Sequence, residues 1–316
     1  MKIKLPLLAT VLATLGSVSL ADAPSRGSVL VFPIHRANTA YTIVNVTNTK
    51  TDGNGSVYAS YQYVNATPSS NPLQPSNCSI VWRNELLTRG DTVSNVAECH
   101  NVGDRGFIVV SAVKTTGGLV SHNYLVGSEL VVTASSSVYA LMPYSFESNK
   151  PEGTSADHNS NGRLDFNNVE YEALPAELYL DSFVGAVASR LVLFGMTGNV
   201  NDQITVKMDV FNDNEFPLSY TFSFKCWFEI PLQDLSHLFT QTFLQGTPHD
   251  PDELDINCSG IGDFETGWAK IRALTASGPF GPTSNPPILG AVTGGPNQLE
   301  GGRLLWGGGE NTQGQF

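Results

Sequence analysis

The chain has 316 residues and a formal net charge of −12, with 15% charged and 41% hydrophobic residues. So acidic a chain repels phosphate backbones and anionic membrane surfaces, which excludes nucleic acid as an expected partner. The length exceeds what one hydrophobic core usually serves, so two domains are expected; abundant Gly, Ser, Thr and Asn favour an all-β fold of short strands joined by turns.

The first residues have the pattern of an export signal. Lys2 and Lys4 precede an apolar stretch from Leu5 to Leu15, and small residues follow at Ser19, Ala21 and Ala23. Cleavage after Ala23 would set Pro24 beside the scissile bond. The expected signal peptide is therefore 1–21, with the mature chain beginning at Asp22. The apolar run is shorter than the about 20 residues of a bilayer span, and no later run is long enough. Membrane insertion is thus not expected, and the protein is predicted to be secreted or held at the cell surface.

Residues 22–148 are predicted to form an N-terminal β-sandwich. Val57, Ala59, Tyr61 and Tyr63 alternate with polar neighbours, the period of a half-buried strand. Phe107 to Val113 is apolar on both faces, as a central strand would be. The apolar segment Ser28–Pro33 reads either as the first strand of its own domain or as a strand lent to a neighbour's open edge.

Residues 149–182 are predicted to be a linker, and within it 157–168 carry the sharpest motif of the chain. Asp157, Asn159, Asn161 and Asp165 place side-chain oxygens at loop positions 1, 3, 5 and 9, and the carbonyl of Arg163 would serve position 7. Gly162 stands where a tight wrap around Ca²⁺ needs a turn. Position 12 is Asn168 rather than a bidentate Glu, and Glu170 lies two residues further on. Calcium is the expected cofactor, bound weakly, near the 10⁻⁴–10⁻³ M of extracellular modules.

Residues 183–300 are predicted to be a C-terminal sandwich. Ile204, Val206, Met208 and Val210 alternate with polar residues, and Tyr220, Phe222, Phe224, Cys226 and Phe228 continue as a second strand. Leu232, Leu235, Phe239 and Phe243 recur at helical spacing, which predicts a short helix capping the open end of this sandwich. The tail, 301–316, is predicted to be flexible.

The halves share an order of events. Tyr41–Thr49, Val57–Val64, Cys78, Cys99 and a Gly-led strand at Gly106–Val113 are matched by Ile204–Asn212, Tyr220–Phe228, Cys226, Cys258 and a Gly-led strand at Gly267–Leu274. This is a weak internal repeat. Four Cys in an exported chain imply disulfides with three possible pairings, and the repeat selects Cys78–Cys99 and Cys226–Cys258. Each would close roughly 20–30 residues, worth about 3–4 kcal/mol.

No catalytic residue is predicted. His35, His100, His122, His158, His237 and His249 show no metal-ligand spacing, and no nucleophile-elbow, P-loop or dinucleotide motif occurs. His249, Asp250, Asp252, Glu253 and Asp255 read as a solvated acidic loop. Trp82, Trp227 and Trp306 could stack on sugars if exposed.

The 157–168 loop resembles the Asp/Asn-rich calcium loops of dockerins and thrombospondin-type repeats more than an EF-hand. Gly27–Pro33, Val46–Asn48, Ser121–Asn123, the Asp157 loop running into Val169–Glu172, and Phe211–Glu215 together resemble uncharacterised secreted bacterial two-domain β proteins. That resemblance implies two tandem Ig-like sandwiches joined by a calcium-loop linker, and implies no activity. The expected function is a secreted, non-catalytic structural, adhesive, fibre or surface-layer protein that partners itself or an extracellular glycan or matrix. The alternative is an extracellular polysaccharide-binding protein or hydrolase.

Overall fold

The computed structural model describes residues 25–36, 40–53, 55–67, 77–100, 103–132, 138–248, 254–255, 258–259, 264–279, 281–294 and 301–316. The expected signal peptide and residues 249–253 of the acidic loop lie outside the described residues. What is described is nearly all β. No helix among the described residues is long and apolar enough to cross a membrane.

In the first half, β1 (Val29–Arg36), β3 (Val57–Thr67), β4 (Asn77–Leu87), β6 (Arg105–Val113) and β9 (Tyr144–Phe146) form one sheet in the order β4-β3-β6-β1-β9. A second sheet, β5-β2-β7-β8, comprises β2 (Tyr41–Asn48), β5 (Thr92–Val96), β7 (Leu125–Val132) and β8 (Val138–Leu141). A ribbon strand, β10 (Asp165–Phe166), precedes the second half. There, β11 (Leu174–Val184), β13 (Gln203–Asn212), β14 (Pro217–Lys225), β16 (Thr266–Gly278) and β20 (Trp306–Thr312) give the order β14-β13-β16-β11-β20, with β17 (Gly281–Ser284) folded back onto β16. The fourth sheet, β15-β12-β18-β19, comprises β12 (Ser189–Gly195), β15 (Trp227–Pro231), β18 (Ile288–Gly294) and β19 (Gly301–Leu304). The last strand, β21 (Gly314–Gln315), pairs with β10.

The two halves therefore repeat one pairing scheme strand for strand, with β17 as an insertion. The Gly-led strands β6 and β16 correspond as expected. The register proposed for the earlier strands is shifted by one: the partner of β3 is β13, not β14. The scheme also departs from the expected immunoglobulin arrangement, in which the first two strands share a sheet. Here β1 pairs with β6 and β9, while β2 lies in the opposite sheet with β5 and β7.

Burial explains how the sheets stack. On β1, Leu30 and Phe32 face one apolar cluster and Val29 and Val31 another; on β6, Ile108 and Val110 oppose Phe107 and Val109 in the same way. On β12, Leu191 and Leu193 face one cluster while Val192 and Phe194 face another. A strand buried on both sides belongs to an interior sheet. The four sheets thus form four layers, and the middle apolar layer joins Val29, Val31, Phe107 and Val109 of the first half to Val192, Phe194, Leu289 and Ala291 of the second. Tyr144 crosses this seam, its hydroxyl bonding the carbonyls of Gly290 (2.6 Å) and Leu305 (2.9 Å). Trp227 crosses it too, its indole N–H donating to the Pro33 carbonyl at 3.1 Å.

Several expectations are corrected. The disulfide is Cys78–Cys226, with Cα atoms 6.5 Å apart and a sequence separation of 148, while Cys99 and Cys258 are free and exposed. The bond joins the halves rather than stapling each one, because Cys78 begins β4 beside the seam and Cys226 is buried in the middle layer. Tyr220 to Phe228 is not one strand: Cys226, at φ 43°, turns the chain from β14 in the outer sheet to β15 in the inner one. The segment expected as a linker contributes most of β11, whose Leu178 and Leu180 enter the core. The tail expected to be flexible forms β19, β20 and β21, because those edges have unpaired partners in β18, β11 and β10. The expected helix is broken into α1 (Leu232–Leu235), a 3₁₀ turn (His237–Phe239) and α2 (Gln241–Leu244), interrupted by extended Ser236 and Thr240. Its apolar stripe still packs as expected, with Leu232, Leu235 and Phe239 buried in the second-half core. The segment Ser28–Pro33 lies inside its own half, β1 being paired on both edges.

Candidate metal centre

The expected calcium loop lies at the margin of the middle layer. Ala156 and Tyr171 on its flanks and Leu164 and Phe166 within it are buried there, so apolar packing holds the loop in place. Gly162 adopts φ 74° and Ser160 φ 59°, the left-handed turns that curl the segment.

The curled loop gathers its oxygens and amides. Asp157 accepts from the backbone N–H of Asn161 at 3.1 Å through Oδ1 and from that of Gly162 at 2.9 Å through Oδ2. Asp165 Oδ2 accepts from the side-chain amides of Asn159 at 2.6 Å and Asn161 at 2.9 Å. Asp165 Oδ1 accepts from Gln315 Nε2 at 2.7 Å. Glu170 reaches back along the loop, its Oε1 accepting from the backbone N–H groups of His158 (2.7 Å) and Asn159 (3.1 Å). Five of the six expected ligand residues, Asp157, Asn159, Asn161, Asp165 and Glu170, are thus brought together by side-chain contacts. The Arg163 side chain is directed to Gln315 Oε1, at 2.6 Å.

Two features of this cluster go unbalanced. Glu170 is 1% exposed, yet its Oε2 has no hydrogen-bond partner. Among the described residues, no ion pair involves Asp157, Asp165 or Glu170. A buried carboxylate with neither a full hydrogen-bond complement nor a counter-charge is costly. The donor set is hard oxygen, suited to Ca²⁺ rather than to a thiolate or imidazole metal. The Asn amides present N–H to Asp165, so binding a cation requires them to turn their oxygens inward. No group of three or more His, Cys, Asp or Glu among the described residues is arranged to hold a metal on its own. The loop's capacity therefore depends on its Asn and main-chain oxygens.

A cleft of ≈ 340 Å³ opens beside the loop, between Asp165, Asn167 and Gln315 on one side and Thr283, Pro286 and Pro287 on the other. Among the described residues Asp165 is the only carboxylate in its lining.

Polar side chains also cluster elsewhere. His35 and His100 meet around Tyr63: His100 Nδ1 bonds the Tyr63 hydroxyl at 2.7 Å and its Nε2 faces Glu85 at 3.1 Å. Burial pushes the His35 imidazole down to about 3 and the Tyr63 phenol far up. His122 stands apart, bonded to Asn48 at 2.9 Å and Glu152 at 3.1 Å. Arg36 pairs across the seam with Glu229, which Arg190 also reaches at 3.2 Å. Beside them Glu129 is fully buried, and that burial raises its carboxyl well above the usual range against the opposing pull of Arg36. Sequence reasoning missed this cluster, although Glu129 within the apolar run Leu125–Val132 was a visible signal. Of the tryptophans singled out, Trp227 is buried, and Trp82 and Trp306 are exposed.

Comparison with protein-family models, curated proteins and solved structures returned no match.

Proposed function

We propose that this is a secreted, non-catalytic structural or adhesive protein of the fibre or surface-layer kind, stiffened by a disulfide and by calcium in the 157–170 loop. The observation that carries the reading is the seam. An apolar layer, a disulfide and a loop with three carboxylates lacking a counter-ion all lie where the two halves meet. A joint made rigid in three ways suits a part that bears load or holds a fixed spacing. The Cys78–Cys226 bond supports an oxidising compartment, in keeping with the export pattern. The repeated strand order supports two copies of one sandwich.

The test is sedimentation and electron microscopy of the mature protein in millimolar calcium and in chelator. Filaments, lattices or defined oligomers are the expected result, and a monomer in both conditions that cleaves a polysaccharide overturns the reading.

A second reading, polysaccharide binding, draws on the solvent face of the outer second-half sheet. There Trp268 and Trp306 are each 37% exposed, and Trp268 stacks on Phe211 with centroids 4.5 Å apart. Retarded migration in gels containing a soluble polysaccharide, lost in Trp268→Ala, would favour it.

A further inference from the structure

We propose that a divalent cation in the 157–170 loop latches the C-terminal strand, so that metal binding and docking of residues 314–316 are one coupled event. This rests on the cation reading of the loop given above.

Asp165 belongs to both structures. Its main chain pairs in β10 with β21, Asp165 opposite Gln315 and Phe166 opposite Gly314. Its carboxylate is divided between them: Oδ1 accepts from Gln315, and Oδ2 accepts from Asn159 and Asn161 inside the loop. Gln315 is gripped again by Arg163, the residue whose carbonyl would serve position 7. Leu164 and Phe316 exchange backbone bonds of 2.7 and 2.9 Å, and Gln315 N–H donates to the Met196 carbonyl at 3.0 Å. Phe316 then lays its ring 5.8 Å from that of Phe107 in the middle layer. The side-chain bonds of Gln315 and the backbone bonds of Phe316 come from the loop, while Met196, Thr197 and Phe107 add contacts from the second half and the middle layer.

A ribbon of two residues per strand has little stability of its own. Its order depends on the loop's being held in shape. Without a cation, Asp165 (6% exposed) and Glu170 (1% exposed) are buried carboxylates, and among the described residues only N–H groups offset them. The relief open to the loop is to loosen, which displaces Asp165 and Arg163 and with them both contacts of the Gln315 amide. A bound cation removes that drive and fixes Asp165. Binding linkage makes the effect reciprocal: whatever undocks Gln315 must weaken the metal by the same factor.

The experiment uses the full mature chain and calcium alone. Titration calorimetry measures binding, and hydrogen exchange of the 301–316 peptide measures docking, with and without chelator. Calcium is expected to slow exchange at 314–316, and Gln315→Ala is expected to weaken calcium binding by about 5-fold or more. Asp157→Ala should leave the terminal peptide at its calcium-free exchange rate whether or not calcium is added. If calcium binds but neither exchange at 314–316 nor the Gln315→Ala affinity changes, the latch is overturned and the cation site stands. If no binding heat or competition with terbium is seen, the cation site falls and the latch with it.

Discussion

The ring of Phe107, from the first half, stacks on that of Phe194, from the second, with centroids 4.6 Å apart and planes 22° from parallel. Both are fully buried, so the seam is a core and not a surface contact. Phe107→Ala should cost about 3–5 kcal/mol in denaturant unfolding. Trp82→Ala, at a 58% exposed site, should change stability by about 0.5 kcal/mol or less. Equal effects of the two substitutions would show that the middle layer is not packed as described.

The disulfide prediction is chemical. Peptide mapping without reductant should recover Cys78 linked to Cys226, and mild alkylation of the folded protein should label Cys99 and Cys258. Because the bond spans 148 residues, the paired substitution Cys78→Ser with Cys226→Ser should lower stability by about 4–5 kcal/mol in the chain-entropy picture. Recovery of Cys78 linked to Cys99 would reinstate the pairing drawn from the repeat.

His35 sets an acid limit. Its imidazole falls from 6.5 to about 3 because burial disfavours the charged ring. The unfolded chain takes up this proton below about pH 6.5 and the folded chain does not. Stability from this group is therefore complete above pH 6.5 and is lost as pH falls toward 3, by up to about 1.4 kcal/mol per pH unit. His35→Phe should flatten that part of the stability profile, and an unchanged slope would show that His35 is not the group responsible.

Glu129 has the opposite sign. Its carboxyl is raised well above 4.5, so the folded state keeps a proton that the unfolded state sheds. Its contribution is complete below about pH 4.5 and declines as pH rises from there toward the raised value. Glu129→Gln preserves shape and should remove that decline in thermal melts recorded from about pH 4.5 upward. A variant that melts lower than wild type at every pH would assign Glu129 to a charged partnership with Arg36.

Calcium should raise the melting temperature of wild type, with half-effect near 10⁻⁴–10⁻³ M. Asp157→Ala combined with Asp165→Ala should abolish the rise. Absence of any rise in wild type would remove calcium from the account of this protein.

Much of this architecture could be read locally. Alternation in Ile204–Val210 and Val57–Tyr63 placed those side chains on the correct faces. The side chains at 157, 159, 161 and 165 hydrogen-bond within the loop, and Glu170, five residues past Asp165, follows the turn at Asn168, φ 62°. The signal for the seam was also present, in the doubly apolar runs at Val29–Phe32, Phe107–Val110, Leu191–Phe194 and Ile288–Val292. Such a run says that both faces are covered and does not say by what.

Periodicity, turn residues and composition act over a few residues, so the chain alone determined an all-β protein with strands in a repeating order and one oxygen-rich loop. Which strands pair and which sheets face each other is a contest among contacts far apart in sequence. Only the assembled core decided that Cys78 meets Cys226, that two sheets are buried on both sides, and that the last three residues close over the loop.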